Sequence, residues 1–131
     1  MNTAIVGWGH IPFGRREDDV ESMLLEVTGE ALVSAGVDAS DVDAVYLGWF
    51  NGGMSEQDFG SSLVMNGFEG LRYKPATRVE NACATGSAAV YHGERLYCGR
   101  AWQGCPRGGS GKDDECAYNR TESCAARMFV S

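Results

Sequence analysis

The apolar positions of the first half of the chain form two short runs separated by one helical stripe. The runs at residues 3–7 and 44–48 have the length and branched side chains typical of buried strands. Between them, the apolar residues at helical spacing are Val20, Leu24, Val27, Ala31 and Ala35. Asp18 or Asp19 would cap the start of this helix, and Gly36 would end it. The pattern predicts a right-handed βαβ unit with a parallel pair of strands.

The middle of the chain predicts a short helix, a further strand and a long helix of small residues. A glycine-rich loop after residue 48 leads to a helix over residues 58–66. A strand at residues 76–79 runs directly into a helix from about residue 84 to 96. Small side chains early in this helix allow it to lie close to other backbone, as a buried helix must. We therefore expect an α/β fold with a mainly parallel sheet and a buried helix.

Cys83 lies at the predicted turn between that strand and that helix. Unpaired N–H groups and the helix dipole favour negative charge at such a turn. The thiolate is the nucleophilic form of cysteine, so Cys83 is the candidate nucleophile. The alternative interpretation is a chemically silent cysteine buried in a tight turn, because free cysteine is a common core residue.

Charge and cysteine spacing exclude several classes of function. The net charge of −7 and the isoelectric point of about 4.7 argue against nucleic acid or an anionic membrane as a partner. The sequence has no apolar run of membrane-span length and no signal-peptide pattern, which gives the cytoplasm as the default location. An odd number of cysteines without a C-x-x-C pair predicts neither a disulfide framework nor a metal site: Cys83, Cys98, Cys105, Cys116 and Cys124.

The glycines near the N-terminus suggest a dinucleotide-binding loop, but the pattern does not fit. Gly7 and Gly9 are followed by a third glycine only at residue 14, too late for G-x-G-x-x-G. Pro12 blocks an immediate helix, so no helix N-terminus would face a pyrophosphate. We reject this motif.

The sequence Glu-Asn-Ala-Cys-Ala-Thr-Gly-Ser-Ala-Ala at residues 80–89 resembles the nucleophile motif of the thiolase superfamily. Within that superfamily, it resembles the form of the motif that sterol-carrier-protein-type thiolases and bacterial acetyl-CoA acetyltransferases carry. Residues 35–48, Ala-Gly-Val-x-x-x-Asp-Val-Asp-Ala-Val-x-x-Gly, resemble the thiolase segment that joins the first helix to the second strand. The resemblance implies an incomplete thiolase-type N-terminal domain in which Cys83 takes an acyl group from a coenzyme A thioester. It also implies acyl-CoA as substrate, no tightly bound cofactor and a homodimer of the intact protein.

The resemblance covers residues 3–101 and ends there. Residues 96–101 match the family's lead-in to an apolar strand, whereas residues 102–131 form no convincing strand. Synonymous codons for residues 102–114 can be chosen so that a frame displaced by one base reads Gly-Arg-Val-Ala-Leu-Val-Val-Gly-Ala-Glu-Lys-Met, which resembles the missing thiolase strand. We expect residues 1–101 to form a partial domain and residues 102–131 an irregular, out-of-frame tail. A natural divergent C-terminus is the alternative.

The resemblance also implies that catalysis needs residues from a second domain. Family members place the base histidine, a second cysteine and much of the oxyanion hole in a C-terminal domain, and none of those motifs is present here. We therefore expect this chain to be inactive in turnover. A non-catalytic lipid- or acyl-binding protein and an interaction module that pairs with an intact thiolase are the alternatives. The basic residues Arg72, Lys74 and Arg78 are either ordinary solvated charges or contacts for coenzyme A phosphates.

Overall fold

The computed structural model describes residues 3–51, 53 and 55–103. Its strands are β1 (Val45–Gly48) and β2 (Ala76–Val79). Its α-helices are α1 (Val20–Ala35), α2 (Gly60–Leu63) and α3 (Thr85–Gln103). Short 3-10 turns lie at Ala39–Asp41, Val64–Asn66, Glu69–Leu71 and Ala82–Ala84. The chain is of the α/β class with a small parallel sheet, which confirms the predicted fold class.

The two strands pair in parallel, and this pairing places their carboxyl ends at one edge of the sheet. Val45 lies opposite Ala76, and Gly48 lies opposite Val79. The Val45 N–H donates to the carbonyl oxygen of Pro75 at 2.9 Å, and the Trp49 N–H donates to that of Val79 at 3.0 Å. Since α2 lies between the strands in sequence, β1, α2 and β2 form a βαβ unit.

Helix α1 begins and ends at the residues that the sequence predicts. The Asp19 carboxylate accepts a hydrogen bond from the Ser22 N–H at 2.7 Å, which caps the helix and lowers the pKa of Asp19 below its ordinary value. Gly36 has the left-handed φ of 63° that a helix-ending glycine adopts, and its N–H donates to carbonyl groups of the last turn. Both ends are therefore set by local hydrogen bonds.

The strands are sandwiched between helices on their two faces. Because successive side chains of a strand point to opposite faces, Val45 and Leu47 enter the core while Tyr46 faces α3, where its ring stacks on that of His92. The buried core lies on the α1 side of the sheet and consists of Leu24, Leu32, Val42, Val45, Leu47, Val64 and Leu71. Over residues 85–96, helix α3 is buried on one side, since Thr85 and Ala89 are buried while Gly86 and Ser87 are exposed.

The buried stripe of α1 is rotated from the predicted one. Leu24 and Ala31 are buried as expected, but Thr28 and Leu32 are buried too, while Val20, Val27 and Ala35 are half-buried. Val20 packs against the core, whereas Val27 and Ala35 border the N-terminal segment: an added Cβ at Gly7 would lie 2.6 Å from the Ala35 Cβ. The helix therefore contacts the core on one side and the N-terminal segment on the other.

The strand predicted at residues 3–7 is wrong, and so is its pairing with residues 44–48. Residues 3–7 are not in a strand, and Ile5 is 81% exposed. The segment that follows is held on α1 instead: the His10 N–H donates to the Glu30 carboxylate at 3.0 Å, and the Gly9 backbone approaches the carbonyl of Val27. An apolar run becomes a strand only where a strand edge accepts its hydrogen bonds. Here side chains of α1 accept the N–H groups of Trp8 and His10, which follow the run.

Helix α3 is longer than predicted, and the rest of the chain lies outside the described residues. The helix extends seven residues beyond the predicted end at residue 96, to Gln103. The backbone of residues 102 and 103 continues α3, and the remaining predicted tail, residues 104–131, lies outside the described part. In the described part, no helix is long and apolar enough to span a membrane.

Amide hydrogen exchange tests the two different environments of the apolar runs. We expect the amides of residues 4–6 to exchange much faster than those of Val45 and Trp49, because only the latter two donate to a neighbouring strand segment. Two-dimensional NMR after transfer to deuterated water measures this difference. Equal protection of the two groups would show that residues 3–7 join a sheet after all.

Candidate functional site

Cys83 lies in the short turn that connects β2 to α3. The strand ends at Val79, the 3-10 turn covers Ala82–Ala84, and α3 begins at Thr85. Cys83 forms no disulfide within the described residues and is exposed, which contradicts the interpretation of a cysteine buried in a tight turn. Because β1 and β2 are parallel, the thiol follows the carboxyl edge of the sheet, the usual place for ligands in open α/β sheets.

The turn before α3 is held by backbone and side-chain hydrogen bonds. The Ala84 N–H donates to the Asn81 carbonyl at 2.9 Å. The Asn81 N–H donates to the Thr85 hydroxyl at 2.8 Å, and that hydroxyl donates to the Ala82 carbonyl at 2.7 Å. Ala82 has a positive φ of 44°, in the left-handed region that residues with a Cβ rarely adopt. These contacts hold a strained backbone immediately before Cys83.

A buried side-chain amide, that of Asn51, lies just beyond the carboxyl end of β1. Asn51 is only 7% exposed, and its side-chain amide donates to the Ser55 carbonyl at 2.9 Å and to the Asp58 carboxylate at 3.0 Å. Its side-chain oxygen accepts from the Ser55 N–H at 2.8 Å. Both ends of this amide are therefore satisfied, and its hydrogen bonds connect Asn51 to Ser55 and Asp58.

The three basic residues after α2 are paired within the chain. Arg78 forms ion pairs with Asp58 at 3.5 Å and with Glu80. Arg72 forms an ion pair with Glu69 at 3.0 Å, and the Lys74 ammonium donates to the Ser40 carbonyl at 2.9 Å. These internal partners favour ordinary structural charges over contacts with phosphate.

Comparison with known proteins gives two similar relatives, both named acetyl-CoA acetyltransferase. The protein of Methanocaldococcus jannaschii is 37% identical over 91 residues, which are 68% of this chain and 23% of that protein. The protein of Methanothermobacter thermautotrophicus is 36% identical over 94 residues, which are 70% of this chain and 24% of that protein. No protein-family model matches the sequence. The similarity to these two proteins supports a relationship of this chain to the thiolase family. The chain spans about a quarter of the length of these relatives.

The described residues bring no acid–base partner to Cys83, the nucleophile position of the thiolase-like motif. Among them, the Cys83 thiol has no hydrogen-bond or ion-pair partner. The two histidines contact aromatic rings instead: His92 stacks on Tyr46, and His10 lies edge-on to Phe13. In the same part of the chain, no three His, Cys, Asp or Glu residues are placed to hold a metal ion.

Sequence reasoning missed two buried polar residues near the carboxyl edge of the sheet, Thr85 and Asn51. The signal for Thr85 was present, because threonine favours the start of a helix and lies four residues after Asn81. The signal for Asn51 was weaker, since an asparagine in a glycine-rich loop is commonly solvated.

The left-handed backbone at Ala82 predicts the effect of a glycine there. Ala82→Gly removes the strain of the Cβ, which costs about 1–2 kcal/mol, and loses about 0.5–1 kcal/mol through the greater freedom of the unfolded chain. We expect a rise of about 0.5 kcal/mol in the free energy of unfolding, measured by urea denaturation. Ala82→Val is the matched control and should lower the same quantity, since a branched side chain is more strained there. Destabilisation by glycine would show that residue 82 is not left-handed.

Proposed function

We propose that the chain is part of a thiolase-family acyltransferase in which Cys83 accepts an acyl group from an acyl-CoA. The observation that supports this most is the exposed, unpaired thiol at the start of α3. It lies in a sequence that resembles the thiolase nucleophile motif, in a chain similar to two acetyl-CoA acetyltransferases. Acyl-CoA is the substrate, and the intact protein is a homodimer.

The chemical step is a thioester exchange. The Cys83 sulfur, as the thiolate, attacks the carbonyl carbon of the acyl-CoA and forms a new carbon–sulfur bond. The bond from that carbon to the coenzyme A sulfur breaks, and coenzyme A leaves as a thiolate that takes up a proton. The acyl group on Cys83 then passes to coenzyme A or to a carbanion. The positive end of the α3 dipole lies beside Cys83 and favours the negative charge of the thiolate and of the tetrahedral oxyanion.

We also propose that Cys83 of this chain accepts an acyl group but that the chain does not catalyse repeated cycles of acyl transfer. Turnover needs a general base to accept and return protons, and the described residues give Cys83 none. The resemblance implies that family members take the base histidine and the second cysteine from a C-terminal domain. The chain spans about a quarter of its relatives' length.

Acetylation of the 131-residue chain by acetyl-CoA tests the role of Cys83. We expect peptide mass spectrometry to find one acetyl group on Cys83, and iodoacetamide to label Cys83 first. Because the described residues place no general base beside Cys83, we expect no steady thiolysis of acetoacetyl-CoA. Cys83→Ser should remove the acetyl thioester, whereas the control Cys98→Ser, outside the motif, should leave it unchanged.

Other outcomes of these experiments would reject the role of Cys83, reject the expected lack of turnover, or favour one of the two alternative functions. If Cys83 is acetylated no faster than Cys98, it is not the nucleophile. Steady, Cys83-dependent thiolysis would show that the chain carries its own base. Lipid binding that survives Cys83→Ser would favour a non-catalytic binding protein, and co-purification with an intact thiolase would favour an interaction module.

We further propose that the reading frame is displaced by one base near codon 102. The support is the match of residues 96–101 to the thiolase lead-in and the thiolase-like phrase that the displaced frame permits. Sequencing the gene through codon 102 should find a long thiolase-like frame in the displaced phase, and restoring it should give a soluble, dimeric enzyme. A stop codon soon after codon 131, with no such frame downstream, would instead establish a natural C-terminus.

A further inference from the structure

The Thr85 hydroxyl bridges the two residues that precede Cys83. It accepts a hydrogen bond from the Asn81 N–H at 2.8 Å and donates one to the Ala82 carbonyl at 2.7 Å. One side-chain oxygen thus connects the first turn of α3 to both residues before the nucleophile. The Ala82 carbonyl also accepts the Thr85 N–H, so the backbone and the side chain of Thr85 act on the same group.

Thr85 is itself held in place, which makes the bridge rigid. The residue is only 6% exposed. Its backbone and its methyl group lie against Gly48, the last residue of β1: a Cβ added there would be 3.1 Å from the Thr85 carbonyl oxygen and 3.2 Å from Cγ2. The hydroxyl is therefore oriented by a side chain that the end of the sheet immobilises.

The hydroxyl compensates for a backbone that is unfavourable by itself. Ala82 has a left-handed φ of 44°, and such a conformation persists only where its surroundings determine it. Without the hydroxyl, the Asn81 N–H would lose its partner and the Ala82 carbonyl would lose one of two donors. The turn could then relax towards a common backbone conformation, and the adjacent Cys83 would change its direction.

We propose that Thr85 is a positioning residue for Cys83. Its hydroxyl holds the turn so that the thiol and the backbone N–H groups beside it keep one arrangement towards an incoming thioester. The inference rests on the proposed role of Cys83 as acyl acceptor. Thr85 need not touch the acyl group, because it acts through the backbone of Asn81 and Ala82.

Two substitutions separate the hydroxyl from the shape of the side chain. Thr85→Val keeps the branched shape but removes the hydroxyl, and Thr85→Ser keeps the hydroxyl but removes the methyl group. We expect Thr85→Val to slow acetylation of Cys83 by acetyl-CoA by about tenfold to a hundredfold, the effect of misplacing a reacting group by about 1 Å. Thr85→Ser should restore most of the rate, which a role limited to packing of the methyl group would not predict.

The pH profile and alkylation separate geometry from thiol ionisation. Iodoacetamide is small and attacks from many directions, so its rate with Cys83 should change far less than that of acetyl-CoA. Parallel profiles of rate against pH for Thr85→Val and the wild type, with acetylation alone slowed, would support positioning. Equal slowing of both reagents with a displaced profile would overturn it and place the effect on the thiol's ionisation.

Hydrogen exchange in the wild-type chain keeps the proposal testable if Thr85→Val does not fold. We expect the Asn81 amide to exchange more slowly than the Cys83 amide, for which the described residues show no acceptor. An unprotected Asn81 amide would overturn the proposal. So would acetylation of a folded Thr85→Val chain at the wild-type rate. If the wild-type chain is not acetylated at all, the proposed function itself fails, and the positioning role fails with it.

Discussion

The parallel pairing of β1 with β2 is the constraint on which the described structure depends. The two strands have four residues each, and their pairing aligns Gly48 with Val79 at the sheet edge. From this edge one strand leads into the Asn51 loop, and the other leads into the Cys83 turn. So short a ladder has few hydrogen bonds, and most of its stability comes from the apolar side chains that cover its faces. The stability of the turn that carries Cys83 therefore depends on how well α1 and α3 pack on the sheet.

Elements with strong local signals were predicted from the sequence. The capping carboxylate of Asp19 and the left-handed Gly36 determine the ends of α1, and both signals act within a few residues. Strand β2 was predicted with its observed bounds, because a branched run enters the turn before the small-residue helix. The run at residues 3–7 has similar composition, but it pairs with no strand in the described part of the chain. Composition alone does not specify which strand, if any, a run pairs with.

The candidate nucleophile could be predicted, but the groups that order it could not. Cys83 became the candidate because residues 80–89 resemble the thiolase nucleophile motif, since its place between strand and helix alone left a buried structural cysteine open. Thr85 and Asn51 act through hydrogen bonds to backbone groups, and these bonds exist only once the turn and the loop have their final geometry. The left-handed Ala82 has no sequence signal, since glycine or asparagine is the usual residue in that conformation.

The close approach of Gly48 to Thr85 links two positions that are 37 residues apart. An alanine at position 48 would crowd the carbonyl oxygen and the methyl group of Thr85, and the first turn of α3 would have to shift by a few tenths of an ångström. Serine at position 85 lacks the methyl group and would relieve part of that crowding. Substitutions at the two positions should therefore show epistasis, and lineages that carry a larger residue at one should carry a smaller residue at the other.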